Sequence, residues 1–196
     1  MKLTGITTET RYENEARLIA LLIDNGLHEM HIRKPGYSSE QLVGLLQQIP
    51  ATYHSHLILH DRFELAERFG VGGLHLNRRN PVAPAGYAGR TGRSCHTFEE
   101  VQQSADVDYC FLSPIYDSLS KSGYRSRFTE AELRRAAQEG IIGERVYALG
   151  GVEPRHLPQL RALGFGGAVL LGYLWNGLNE QNAKERMAAL HAANTI

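Results

Sequence analysis

Cysteine is scarce in this chain of 196 residues, with only two, Cys95 and Cys110. Each lies in an apolar stretch that reads as a strand, which fits buried, reduced thiols better than a disulfide framework. An excess of either charge is missing too: 21 basic residues face 21 acidic ones, and the formal net charge is zero. Nucleic-acid backbones and anionic membranes call for clustered basic excess, so neither is an expected partner. Long apolar runs are also absent. "GGAVLLGYLW" is too short to span a bilayer, and "MKLTGITTET" enters a strand-like segment without the apolar centre of a signal sequence, so a cytoplasmic protein is expected. No low-complexity tract or linker interrupts the pattern, which implies one domain over residues 1–196.

What is present is alternation. Leu3 to Thr7 reads as a strand, and Glu13 to Asn25 as a helix with Ala16, Ile19, Ala20 and Ile23 on one face and Gly26 as its stop. "HEMHIR" then leads to a helix capped by Ser38, and "HLILHD" to "RFELAERFG". "GGLHL" is followed by "NRRNPVAPAGYAG", whose prolines and glycines disfavour a helix. "RTGRSC" with "TFEEVQQSA", "DYCFLSPIY" with "TEAELRRAAQE", "RVYALGG" with "EPRHLPQLRALG", and "GAVLL" with a helix near Gln181 to Ala193 complete eight units. Eight apolar strands with helical crossovers predict an α/β chain forming a single-domain (β/α)8 TIM barrel, with a doubly wound open sheet as the alternative.

Reactive groups in such barrels gather at the carboxyl ends of the strands. That rule selects His31 and Arg33, His60 and Asp61, His75, His96 with Ser94 two positions earlier, the loop carrying Ser118, Ser120 and Lys121, and the glycines Gly150, Gly151 and Gly172. The glycines follow strands seven and eight, where barrels frequently bind phosphate, and predict a phosphate cup. Hydroxyls and the Lys121 amine suit phosphate or pyrophosphate oxygens. Asp61 suits a divalent cation and Arg33 a planar anion. The four histidines have no close HxH or HExxH pair, which ranks metal ligation by histidine low. His96, between a strand and a helix capped by Thr97, is the leading acid/base candidate because an imidazole exchanges protons near neutral pH.

Taken in order, "HIRKPG", "LILHDRFELAERFGVGGLHLNRRN", "GRSCHTFEE", "DYCFLSPIYDSLSK" and "ALGGVEPRHLPQLRALGFGGAVLL" resemble the thiamine phosphate synthase and thiazole tautomerase superfamily over nearly the whole chain. The resemblance implies a phosphate-binding barrel, a thiazole phosphate substrate and commonly a homodimer. In the synthase branch it implies a hydroxymethylpyrimidine diphosphate and Mg2+ as well. Asp61 matches a metal-binding aspartate, Arg33 the second-strand arginine, and Ser118, Ser120 and Lys121 the diphosphate loop. The pattern breaks at Pro35, where the synthase carries a lysine that neighbouring Lys34 would have to replace, and at Asn80, where it carries a second metal-binding aspartate. The tautomerase branch requires no cofactor, and its "HIR" and "GRSxH" segments match His31 to Arg33 and Gly92 to His96.

The expectation from sequence is therefore a thiazole tautomerase. His96 shuttles the proton and His31 and Lys121 complete the catalytic set. Arg33, His60, His75, Ser94, Ser118, Ser120, Gly150, Gly151 and Gly172 bind substrate. The alternative is a synthase with Mg2+ on Asp61 and Asn80, and a third reading is a phosphate-binding regulator without turnover.

Overall fold

In the computed structural model, residues 1–117 and 126–195 are described. Eight strands, β1 (Lys2–Ile6), β2 (Glu29–Ile32), β3 (Leu57–Leu59), β4 (Gly73–Leu76), β5 (Thr91–Cys95), β6 (Tyr109–Leu112), β7 (Val146–Leu149) and β8 (Gly167–Leu170), run parallel in sequence order. β8 pairs back onto β1, with Thr4 opposite Val169. The closed barrel is thus the architecture, and the open sheet is excluded.

The crossovers form where the local chemistry prescribes them. α1 (Glu15–Asp24) buries Ala16, Leu18, Ile19, Leu22 and Ile23. It starts two residues later than the apolar spacing predicts, because Asn14 takes a left-handed turn at φ 53°. α2 (Ser39–Gln48) begins with the expected Ser38 cap, and Gln41 reaches back to complete a capping box, an arrangement that typically contributes about 1 kcal/mol. α3 (Ala66–Phe69) is short, and "NRRNPVAPAGYAG" contributes no helix. α4 (Phe98–Gln102) carries Thr97 at its N-cap, accepting from Glu100 N at 3.2 Å. α5 (Glu130–Gln138), α6 (Leu157–Ala162) and α8 (Glu180–Thr195) cover the remaining faces. A four-residue helix, α7 (Gly172–Trp175), was not anticipated. The Trp175 indole ties it to the barrel by donating to Ile6 O at 2.8 Å.

Apolar side chains fill the layer between barrel and helices, where both cysteines are buried and free. Inside the barrel the lumen is divided. One part is apolar, built from Ile6, Tyr109, Phe111, Tyr147 and Val169. Gly92 is required there, since a Cβ would lie 2.1 Å from the Tyr109 ring. The other part is polar and holds Glu29, His31, His60 and His75, all buried. None of the helices is long and apolar enough to cross a membrane among the described residues.

Candidate active site at the carboxyl end of the barrel

Strand alternation decides which way each predicted residue points. His31 is the third residue of β2 and His75 the third of β4, so both project into the lumen below the strand ends, and neither has any exposed surface. His60, just past β3, is 2% exposed. His31 Nδ1 and His60 Nε2 are 2.9 Å apart, and His31 Nε2 is 3.3 Å from Glu29 Oε1. A carboxylate only accepts, so Nε2–H of His31 donates to Glu29 and its Nδ1 accepts from His60. The His75 ring stacks on His60 at 4.3 Å and meets Ser94 Oγ at 2.9 Å and the Tyr109 hydroxyl at 3.3 Å.

Burial lowers the pKa of His31 and pushes those of His60 and His75 well below the usual imidazole range. Burial works in the opposite direction on Glu29, but the His31 and Arg90 contacts outweigh it and keep that carboxyl ionised. Arg90 closes this network from below, paired with Glu29 and lying 4.3 Å over the Tyr109 ring. His31 and His75 are therefore packed and hydrogen-bonded on both ring nitrogens. They lie inside the strands, not beyond their ends.

The three imidazoles have ligand atoms within 4.8 Å of one another. Their geometry opposes metal binding, because the planes of His60 and His75 are within 16° of parallel and offset by 4.3 Å. In-plane lone pairs of stacked rings do not converge on one ion.

His96 is different. It stands beyond β5, is exposed, and its Nδ1 lies 3.0 Å from Ser113 O. The carbonyl fixes the proton on Nδ1, which leaves the Nε2 lone pair without a partner among the described residues. From Ser113 the chain passes along the rim to the glycines of β7. Ile115 N donates to Leu149 O at 2.9 Å and Tyr116 N to Gly150 O at 3.0 Å. Gly150 and Gly151 have φ of 101° and 62°, and a Cβ on Gly151 would sit 2.2 Å from Asp117 O. Only glycine accommodates both the conformation and the approach. His96, Ser113 and the glycine pair thus form one continuous stretch of rim. Gly172 begins α7 after β8. Ser118, Ser120 and Lys121 lie outside the described residues, but the flanking Asp117 and Ser126 are joined by a 2.6 Å bond from Ser126 N.

Across the mouth, Arg33 pairs with Glu9 at 2.6 Å. Lys34 does not replace the cation missing at Pro35. Its side chain is fully buried outside the mouth, against Glu15 at 2.6 Å and Thr10 O at 2.7 Å. Asp61 and Asn80 lie side by side, and Arg79 pairs with the same carboxylate. Arg79 Nη2 and Nε approach Asp61 Oδ1 at 2.9 and 3.2 Å, and Asn80 Nδ2 donates to the same oxygen at 3.3 Å. Two surface recesses lie elsewhere: one of about 720 Å³ lined by Arg11, Tyr37 and Gln48, and one of about 800 Å³ at the opposite end, lined by Met1, Glu144 and His191.

The family model described as "Thiamine monophosphate synthase" matches residues 3–172. The chain belongs to the thiamine monophosphate synthase family. Among solved structures, a thiamine phosphate pyrophosphorylase from Bacteroides thetaiotaomicron is 38% identical, with a TM-score of 0.89 over 100% of this chain and 98% of that one. Curated family members include a thiamine-phosphate synthase of Latilactobacillus sakei, 28% identical over 68% of this chain, of whose own length the match spans 62%. That of Thermus thermophilus is 28% identical over 82% of this chain and 79% of its own. These names favour the transferase alternative over the isomerase expected from sequence.

The synthase branch implies Mg2+, and the donor set at Asp61 does not fit it. Asp61 Oδ1 is occupied by a guanidinium and an amide, while Oδ2 is buried without a partner among the described residues. The Asn80 amide is oriented by His60 O at 3.0 Å, which turns its N–H2 toward Asp61. Mg2+ demands octahedral oxygen ligation with several retained waters. Here it would meet one carboxylate whose Oδ1 is already held by a guanidinium, a neighbouring cation and an amide presenting hydrogens.

Proposed function

We propose that the chain is a thiamine phosphate synthase-type transferase, joining hydroxymethylpyrimidine diphosphate to thiazole phosphate with release of pyrophosphate. The observation that carries this reading is the full-length, 38% identical likeness to the Bacteroides thetaiotaomicron pyrophosphorylase. The mouth supports it with two guanidinium groups, Arg33 and Arg79, each held by a carboxylate at a strand end. A departing diphosphate needs such donors, because its developing charge must be stabilised as the carbon–oxygen bond breaks. The bonding pair leaves with the diphosphate, and the lone pair of the thiazole nitrogen forms the new carbon–nitrogen bond. In this reading Gly150, Gly151 and Gly172 cradle the thiazole phosphate, Ser94 and His60 line the floor, and Ser118, Ser120 and Lys121 hold the diphosphate. Purified protein offered both precursors should yield thiamine phosphate and pyrophosphate in equal amounts. If neither product forms, with or without Mg2+, the transferase reading is wrong.

A second reading, proton transfer within a carboxylated thiazole phosphate, is favoured by one observation: His96 offers an Nε2 without a partner among the described residues, beside the glycine rim, while Ser113 O fixes its tautomer. Aromatisation of that substrate by the wild type, and its loss by about 10²–10⁴-fold in His96→Ala, would establish it. Unchanged aromatisation in the variant would exclude His96 as the acid/base.

A further inference from the structure

The segment Asn77 to Asn80 is a closed turn. Its end residues exchange two backbone bonds of 3.0 Å each, and Asn77 Oδ1 accepts from Arg79 N at 3.0 Å. Asn77 Nδ2 donates to His60 O at 2.7 Å, so the turn is fastened to the end of β3. Two asparagines thereby fix the backbone from which Arg79 reaches Asp61. The guanidinium spends Nε and Nη2 on one oxygen of a carboxylate whose side chain is 11% exposed, while its own is 43% exposed. Nη1 has no partner among the described residues. Half of the planar fork is thus anchored by a nearly buried anion and the other half opens to solvent at the mouth.

We propose that Arg79, anchored by Asp61, is a resident cation of this mouth, and that it binds phosphate or diphosphate oxygens directly, without a divalent ion. A guanidinium offers fixed, paired donors that match such oxygens, which an ion with a mobile water shell does not. Asn80 belongs to the same arrangement. A carboxylate at that position would restore a two-carboxylate cation site, whereas the amide donates to Asp61 and leaves the carboxylate to Arg79. The assignment rests on the family's anionic substrates for its ligand class, and on the geometry of residues 60, 61, 77, 79 and 80 for everything else.

The test uses Mn2+ and inorganic pyrophosphate as separate probes in titration calorimetry on the full chain. Wild type should show no Mn2+ site tighter than about 1 mM and should bind pyrophosphate equally well in EDTA and in Mg2+. Arg79→Gln should weaken pyrophosphate binding about tenfold or more. The double variant Arg79→Gln/Asn80→Asp should gain one Mn2+ site per chain. A stoichiometric Mn2+ site in wild type that Asp61→Asn abolishes would overturn the proposal, as would loss of pyrophosphate binding in EDTA or undiminished binding in a folded Arg79→Gln protein. The wild-type measurements need no variant to fold. Failure of the transferase assay would leave both titrations standing, so the two ideas fail separately.

Discussion

Replacing Glu29 by Gln tests the polar half of the barrel lumen. Glu29 is 3% exposed, accepts from His31 Nε2 at 3.3 Å and Thr4 Oγ1 at 3.4 Å, and is paired with Arg90. Breaking a buried pair by removing one partner costs about 3–5 kcal/mol. The Arg90 side chain retains 28% exposure, so its abandoned charge is partly solvated and the expected loss falls to about 2–3 kcal/mol. For a domain of this size that lowers Tm by about 4–12 °C.

The pH dependence carries the sharper signature. The folded-state pKa of Glu29 is depressed, although burial alone would raise it. Its stabilisation is therefore fully present above the unfolded carboxyl value near 4.5 and is lost as pH falls through the folded value. Differential scanning calorimetry from pH 8 to pH 3.5 should show the gap between wild type and Glu29→Gln constant above about pH 5 and narrowing below about pH 4.5. An unchanged Tm at neutral pH, or a gap that does not narrow in acid, would refute the assignment of Glu29 as an ionised anchor for Arg90 and His31.

The buried imidazoles give a second acid response in a different window. Their folded pKa values are lowered by burial, so their contribution is present above about pH 6.5 and lost as pH falls below it. Urea denaturation should show a slope of at most about 1.4 kcal/mol per pH unit for each histidine between pH 6.5 and pH 5, and a flat profile there would show that the rings are not held neutral. Gly151→Ala places a Cβ 2.2 Å from Asp117 O at a φ of 62°; a loss of about 1–3 kcal/mol is expected, and unaltered denaturation would mean that the rim yields without strain. Thr97→Ala removes the cap on Glu100 N and should cost about 1 kcal/mol in urea titrations, with a cost near zero assigning the helix start to Glu100 alone.

Alternation of β and α segments was enough to predict the barrel, because each element's period and its turn residues are local properties. Ser38 and Thr97 cap the helices they precede, and the buried thiols need no partner. The short α7 escaped because four residues do not establish a helical period.

Side-chain direction at the strand ends was less legible. Sequence position brought His31, His60, His75 and His96 to one end of the barrel. It did not separate a residue inside a strand, whose side chain enters the lumen, from one beyond it, whose side chain faces the mouth. Likewise "NRRN" contains both the asparagine expected as a ligand and the arginine that pairs with Asp61. Both donate to Asp61 Oδ1, because the turn that carries them is fastened to the end of a different strand.

Family, fold and the ring of strand ends were thus written in the order of residues along the chain, since covalent spacing and hydrophobic period determine them. The pairing of Glu29 with Arg90, the stacking of His60 on His75 with His31 edge-on to both, and the capture of Asp61 by Arg79 were decided only by tertiary packing of the strands. Closure places side chains from separate strands within hydrogen-bonding distance, and electrostatics in that confined space then selects their partners.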